Sequence, residues 1–530
     1  MIGKTFTDWT ERLKKHFTPD NASFDAPVKY DEKFSRKRVL LLLGAWLVLW
    51  ATWQSLCIGN AAIDVAENIA WGQNFDWGYD KNPYFGAWVS YAVFRVFHEY
   101  FGEYVFYFVS LFSALLGLFA VYLLAGEIFK SRFAAFLVIP LALLVPCFSH
   151  SACEFNDDML SISLYGLTGL FFYRSVRNGS TGEWLTAGFC AGLALMTKYL
   201  AGALLLPLGL LLILTPEGRS CWKRPGIYLG AALFLLLILP NTIWLFEHDF
   251  IALKYAAARA DLKAAPGWGS HITNFLDAWG GYLLRLLLPL AVLCLLPRGK
   301  ASGSSKFDRL FIFAVALGPM ILSSLFALLT GGKVLESWLT PYFVFAPLFL
   351  VMWYRPIPAL APLKRLAVLT ITVSLFFMAV TAYEFLYRRP YVGPHCNHQI
   401  FPGKKLASIL TEEWRKRFAI PCPYVVGDRK NSCYMCYYSP DHPRAFFDHD
   451  PKLSPWIDPA DIRKQGAVII WRGERTPDYL NLYSGVIHLA PMKLERQIPR
   501  WLRAFVPAPK AETFHAVFVP PLSRSSAAGQ

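Results

Sequence analysis

Apolar residues run through this chain in long stretches, and polar residues collect between them. Runs long enough to cross about 30 Å of hydrocarbon, roughly 17–25 residues, begin near Val39, Val105, Phe133, Met159, Ile227, Leu283, Leu310, Leu339 and Leu366. The stretch from Trp184 to Thr215 exceeds one span and is interrupted by Lys198-Tyr199, so it predicts two short helices meeting at the lysine. The pattern predicts about eleven membrane-spanning helices. After about Tyr387 the pattern changes. Short strand-like runs, Tyr424–Val426 and Ala467–Trp471, alternate with helical pieces, Leu406–Phe418 and Ser432–Tyr438, among Pro, Gly and Asp turns. The expected organisation is an N-terminal segment 1–38, a polytopic α-helical part 39–387, and a soluble α/β domain 388–530.

Charge between the runs sets an expected orientation. Lys33, Arg36, Lys37 and Arg38 precede the first run. Later basic clusters are Lys130/Arg132, Arg174/Arg177, Arg219/Lys223/Arg224, Arg298/Lys300/Lys306/Arg309 and Arg355/Lys364/Arg365. With the Lys198 break counted, each falls in every second loop. This predicts a cytoplasmic N-terminus and an outer C-terminus. The first run has no small-residue cleavage site after it and reads as an uncleaved anchor. Hydrophobic residues make up 55% of the 530-residue chain and charged residues only 17%, which excludes a disordered chain and an ordinary soluble enzyme. The net charge of +15 is dispersed in short loops, so nucleic acid is not an expected partner and membrane lipids are. Residues 388–530 hold 21 Lys and Arg against 12 Asp and Glu, a balance that suits anionic headgroups.

The predicted outer loops carry the candidate chemistry. Asp64 and Glu67 are three apart and share a face if helical. They stand in a loop with Trp71, Trp77 and Tyr79, followed by Lys81 in a Gly-Tyr-Asp-Lys-Asn-Pro turn. The second outer loop holds Glu154, Asp157 and Asp158 at the mouth of the fourth span, where acids are costly. Lys198 is an isolated cation at a helix break. His248, Lys254 and Arg259 follow the seventh span, and Lys333 and Trp338 lie in a later loop. Converging acids and cations over an apolar bundle suit a lipid-linked anionic donor: cations hold phosphate oxygens and a carboxylate takes a hydroxyl proton. Plainer roles exist for the same residues. Asp64 and Glu67 can solvate an interfacial helix, Asp158 reads as the N-cap of the fourth span, and Lys198 can snorkel to headgroups. Four cysteines, Cys396, Cys422, Cys433 and Cys436, fall in the outer domain, where at least partial disulfide pairing is expected. Cys433-x-x-Cys436 with His442 and His449 lacks the second pair of a zinc site.

The segments Asp64 to Trp88, Asn156-Asp157, Lys198-Tyr199, Trp244 to His248 and Gly332 to Trp338 resemble the GT-C integral-membrane glycosyltransferases that use polyprenyl-phosphate sugars. The nearest likeness is to the protein O-mannosyltransferase-like bacterial enzymes, among them lipid A aminoarabinose and galacturonosyl transferases. The chain departs from the common pattern at Val65, where a Glu often follows the Asp, and at Lys81-Asn82-Pro83-Tyr84, which lacks a second Pro. The resemblance implies an undecaprenyl-phosphate sugar donor, a lipid or glycolipid acceptor such as lipid A or lipopolysaccharide core, and inverting displacement at the anomeric carbon in a bacterial inner membrane. Sugar transfer to protein is an alternative, and a lipid or sugar transporter a more distant one. The resemblance implies Asp64 as general base, with Asp157 and Glu67 as catalytic companions. Lys81, Lys198, Arg259 and Lys333 would meet the donor phosphate. Tyr79, Tyr199, His248 and Trp338 would position the acceptor. No nucleotide is implied, no metal ligand set is indicated, and the use of a divalent ion is left open.

Overall fold

A computed structural model describes residues 35–262, 267–299, 304–357 and 360–522. Most of the 1–38 segment, including Lys33, lies outside the described residues, as does Lys300. Helix α1 (Arg36–Cys57) opens the bundle. It is followed by α2 (Ile63–Gly72), α3 (Phe85–Val93), α4 (Tyr104–Phe129), α5 (Arg132–Leu143), α6 (Asp157–Asn178) and α7 (Thr181–Thr197). Next come α8 (Gly202–Leu214), α9 (Pro225–Glu247), α10 (Ile251–Arg259) and α11 (Trp268–Leu293). The bundle closes with α12 (Lys306–Ala316), α13 (Gly318–Thr330), α14 (Ala346–Tyr354) and α15 (Leu360–Ala382).

By length and apolarity, five stretches of the described residues can cross a membrane: α1, α4, α9, α11 and Leu363–Val392. The number is seven if two bent pairs each count as one span. These are α12 with α13, bent by 48°, and Glu336–Val344 with α14, bent by 55°. Helix α5 and the stretch Tyr199–Leu214 are apolar but shorter. The eleven spans expected from sequence are not reached on this measure, because several passes are short, bent or carry polar residues.

Core packing explains why some passes need not be long. Helix α4 is buried on most of its surface, and it meets α6 at Gly117 and Gly166. A Cβ at Gly166 would lie 2.4 Å from the Gly117 carbonyl oxygen, so only glycine allows this approach. The charged ends are sorted. Arg174 bonds Glu127 at 2.5 Å, and Arg177 bonds Asp308 at the start of α12. Ser35, Arg36, Lys37, Lys130 and Arg132 surround a cavity of about 710 Å³ at that same end. The opposite end carries α2, the start of α6 and the C-terminal domain.

That domain is α/β, as the sequence predicts. Helices α16 (Gly403–Phe418), α17 (Arg429–Tyr438) and α18 (Pro459–Gln465) accompany six strands: β1 (Tyr424–Gly427), β2 (Arg444–Phe447), β3 (Ala467–Arg472), β4 (Ile487–His488), β5 (Met492–Glu495) and β6 (Ala511–Val519). The order is β2-β1-β3-β6-β4, with β5 also on β6. Strand β1 pairs in parallel with β2 and β3, and β6 runs antiparallel to β3. Every residue of β1 is buried, as a central parallel strand requires.

The domain is seated on the segment that leads into α2. Tyr434 donates to the Ala61 carbonyl at 2.8 Å, and Tyr438 to Asn60 Oδ1 at 2.6 Å. Asn60 in turn donates to the His398 and Phe401 carbonyls. The expected disulfides are absent. Cys396, Cys422, Cys433 and Cys436 are all buried free thiols, and Cys436 donates to the Pro443 carbonyl at 2.8 Å. Burial gives each thiol an apolar slot or a backbone carbonyl in place of a sulfur partner. His442 turns to the Cys436 carbonyl and His449 to the Tyr483 hydroxyl.

Candidate active site

The site is assembled from four short pieces at the domain-bearing end. The first is α2, where Asp64 stands in the first turn and Glu67 one turn on, both facing the same space. The second is the turn Tyr79–Asn82, closed by the Tyr79 N–H donating to the Asn82 carbonyl at 3.0 Å. Tyr79 is fully buried and stacks on Trp71 at 5.2 Å, which fastens the turn to α2 and presents Lys81 at its tip. The third is the start of α6. Asn156 is its N-cap, accepting from the Met159 N–H, and its amide donates to Asp64 Oδ2 at 3.2 Å. The fourth is the break between α7 and α8, where Lys198 takes an extended conformation. The predicted break at the lysine is therefore present.

These pieces line a cavity of about 570 Å³, together with Tyr199, Tyr255, Arg259, Trp338 and His398. It adjoins a second cavity of about 260 Å³ that shares Glu154, Asn156, Asp158 and Ser337 with it. The structure thus brings together Asp64, Glu67, Asp157, Lys81, Lys198, Arg259, Tyr199 and Trp338. It leaves three of the expected residues off this wall. Lys333 pairs with Asp261 at 2.9 Å on the exposed surface. His248 stacks on Trp244 at 4.1 Å and bonds the Trp244 carbonyl. Tyr79 lies beneath Trp71, as an anchor for the turn.

The carboxylates fall into two environments. Glu67 is buried and accepts from Lys81 at 2.6 Å. Burial alone would raise its pKa, but Arg429 and Lys81 outweigh it and hold the group below the usual glutamate range. Asp158 accepts from Lys198 at 2.6 Å, so it is an ion-pair partner, and the N-cap role expected of it belongs to Asn156. Neither Asp64 nor Asp157 has a cation bonded to it among the described residues. Removal from water pushes the Asp64 carboxyl up to about 6, with the charges of Glu154 and Glu67 adding to the effect and His398 and Asn156 opposing it. Asp157 accepts from Asn82 at 2.6 Å through one oxygen, and its other oxygen is buried without a partner among the described residues. Gly86 makes that placement possible, because a Cβ there would lie 1.7 Å from Asp157 Oδ1. Burial likewise pushes Asp157 up, to about 8, with Lys198 opposing and the charges of Asp158, Asp64 and Glu67 adding to the effect. Two carboxyls raised to different extents thus stand beside others locked in ion pairs, and such a separation divides proton-accepting from proton-holding roles.

The cations are disposed around the same space. Lys81 remains protonated, since Glu67 offsets the cost of burial, and its ammonium lies 5.4 Å from the Tyr255 ring centroid. Arg259 is exposed at the wall and has no ion-pair partner among the described residues. Tyr199 donates to Asn241, whose amide donates to the Trp77 carbonyl, so the helix break is tied to the first loop.

Several contributors lie outside the candidate site residues read from sequence, although Asn82 and Asn156 fall within its motifs. Asn82 and Asn156 each hold a carboxylate, and His398 bonds Glu154 at 2.7 Å. Arg429, from the C-terminal domain, bonds Glu67 at 2.6 Å and Asp80 at 2.5 Å. The adjacent opposite charges Asp80-Lys81 in a tight turn were the one sequence signal that further ion pairs gather there.

The chain is similar to several known proteins. Residues 81–244 match the family described as dolichyl-phosphate-mannose-protein mannosyltransferase. The lipopolysaccharide core galacturonosyltransferase RgtA of Rhizobium johnstonii is 26% identical over 82% of this chain and 87% of its own length. The lipid A galacturonosyltransferase RgtD of the same organism is 26% identical over 42% of this chain and 46% of its own. The crystal structure of ArnT from Cupriavidus metallidurans bound to undecaprenyl phosphate superposes with a TM-score of 0.56 at 14% identity, covering 91% of this chain and 98% of that one, a likeness of fold. With the motifs and cavity described, these matches show a multi-pass membrane chain with a fold of the GT-C type that is similar in sequence to bacterial glycosyltransferases acting on lipopolysaccharide core and lipid A.

Proposed function

We propose that this enzyme transfers a sugar from a polyprenyl-phosphate donor, undecaprenyl phosphate being the carrier, to a hydroxyl of lipid A or the lipopolysaccharide core. The acceptor oxygen attacks the anomeric carbon from the side opposite the phosphate. Its C–O bond forms as the bond from the sugar to the phosphate oxygen breaks, so the configuration inverts. The hydroxyl proton passes to Asp64, and the electron pair of the broken bond stays on the polyprenyl phosphate. Lys81, Lys198 and Arg259 meet the growing phosphate charge. Asp157, raised by burial to about 8 and so protonated at neutral pH, hydrogen-bonds the acceptor through its unpaired oxygen and aims it. Trp338 and Tyr199 border the acceptor and donor sugar.

The observation that carries this reading is the company kept in one cavity: Asp64, a carboxyl raised to about 6 and free of any bonded cation among the described residues, lines it together with Lys81, Lys198 and Arg259. Relatives that act on lipid A and lipopolysaccharide core support the acceptor, and a fold neighbour that holds undecaprenyl phosphate supports the donor. The sorted basic end supports an N-terminus in the cytoplasm. On this reading residues 39–387 are the catalytic part in the inner membrane, and residues 388–530 are a periplasmic domain.

The test is incubation of the purified protein with undecaprenyl-phosphate galacturonic acid and lipid A or core oligosaccharide, followed by mass spectrometry. A mass gain of one sugar on the acceptor, with release of undecaprenyl phosphate, is expected. Donor turnover that labels only protein would replace the lipid acceptor. Movement of intact donor across a bilayer without transfer would replace the enzyme reading.

A further inference from the structure

Arg429 comes from a domain with no span of its own, yet it lies behind the cavity wall. It begins α17 directly after β1, and Asp428 caps that helix by accepting from the Asn431 N–H. Its guanidinium fork is divided. One nitrogen donates to Glu67 Oε1 at 2.6 Å and lies 3.4 Å from Asp80 Oδ1, and the other donates to Asp80 Oδ2 at 2.5 Å. Its flat face lies 4.7 Å from the Phe447 ring and 5.8 Å from Trp71. The Glu67 oxygen it bonds is the same one that Lys81 bonds. The resulting order is Asp80, Arg429, Glu67, Lys81, and of these only Glu67 and Lys81 line the cavity.

We propose that Arg429 is a positioning residue through which the C-terminal domain sets Lys81 for the donor phosphate. Two physical consequences support this. The fork grips Asp80 directly and Lys81 through Glu67, so both residues at the tip of the turn are fixed from one side. Arg429 also shares the Glu67 charge. Without it, Glu67 turns wholly to Lys81 and cancels the ammonium. With it, Lys81 uses one N–H on Glu67 and keeps two donors and residual positive field for an anion. A lysine cannot substitute, because a point charge does not span two carboxylates in a plane.

The inference rests on the proposed phosphate-linked donor, and the test separates the two. Binding of undecaprenyl phosphate is measured for the wild type, Arg429→Lys, Lys81→Met and the double variant, with melting in detergent and separate donor and acceptor KM values. Arg429→Lys should weaken undecaprenyl phosphate binding and raise donor KM by about tenfold, leave acceptor KM within about twofold, and add less than about twofold in the Lys81→Met background. The same tenfold factor in both backgrounds, or no effect of Arg429→Lys, overturns the positioning role. If Arg429→Lys melts early, Arg429→Met with Asp80→Asn keeps the charges balanced and is read in the same cycle. A wild type that does not bind undecaprenyl phosphate removes the donor reading itself, whereas binding with independent factors removes only the role of Arg429.

Discussion

The two ends of the bundle are both rich in charge but use it differently. At the end where α1 begins, Arg36, Lys37, Lys130 and Arg132 surround a cavity with Glu127 as its one acidic lining residue, and Glu127 is bonded to Arg174. At the other end, Asp64, Glu67, Glu154, Asp157 and Asp158 share a cavity with Lys81, Lys198 and Arg259. The first set is of one sign and sits at the ends of α1 and α5 and in the short link before α5, which is what orientation in a membrane demands. The second is of both signs, with Glu67 and Asp158 buried in ion pairs and Asp64 and Asp157 held beside them without a bonded cation among the described residues, at a cost in desolvation that orientation does not explain. Helix α1, with 22 residues at about 1.5 Å each, separates them by about 33 Å. Charge count alone therefore does not locate chemistry here. Pairing does, and Asp64 and Asp157, the two raised carboxyls left without a bonded cation among the described residues, are the informative groups.

Substitutions should break this comparison at one end and leave it intact at the other. The largest effect is expected for Asp64→Asn, which keeps size and the Asn156 contact but removes the proton acceptor. Its kcat should fall by about 10²–10⁴-fold with donor binding retained, measured on folded protein by turnover and undecaprenyl phosphate binding. Lys198→Ala comes next. It removes a phosphate contact and strands Asp158, so kcat/KM should fall by about 10–100-fold with weaker donor binding. A loss confined to acceptor KM would move Lys198 to the acceptor side. Glu154→Gln should change rate by less than about tenfold, but it withdraws a charge that holds Asp64 up. The acid limb of its pH profile should therefore move to lower pH, and a limb that stays put would free Asp64 from Glu154. The smallest effect is expected at the other end. Arg36→Ala with Lys130→Ala should leave kcat/KM within about twofold, because surface charges carry little energy of their own. A large loss there would mean that the basic end takes part in turnover.

Local features of the site were legible in the sequence, and distant ones were not. The Asp64–Glu67 face, the break at Lys198, and strands β1 and β3 follow from spacing and composition within a few residues. Asn156, two positions before Asp158, takes the N-cap, because both residues favour a helix start and only packing chooses between them. The cysteines were expected to pair because an oxidising compartment permits it, but cores accept buried thiols as apolar groups. Arg429 lies 362 residues from Glu67, and nothing in its neighbourhood distinguishes it from other surface arginines. Only the seating of the domain on Asn60 and Ala61 brings it to the cavity. Lys333 shows the reverse, a cation in a suggestive motif that folds onto Asp261 instead.

The role of Asp64 as proton acceptor is tested most directly by its titration. Its carboxyl is raised to about 6 by burial and by Glu154 and Glu67, with His398 and Asn156 acting against them, and it must be ionised to accept a proton. The decisive measurement is kcat/KM against pH for the wild type and for the residual activity of Asp64→Asn. The wild type should lose activity with one proton as pH falls through about 6, and the Asp64→Asn profile should be flat in that region. A limb near 6 that persists in Asp64→Asn would assign the proton acceptor to another group and contradict the account.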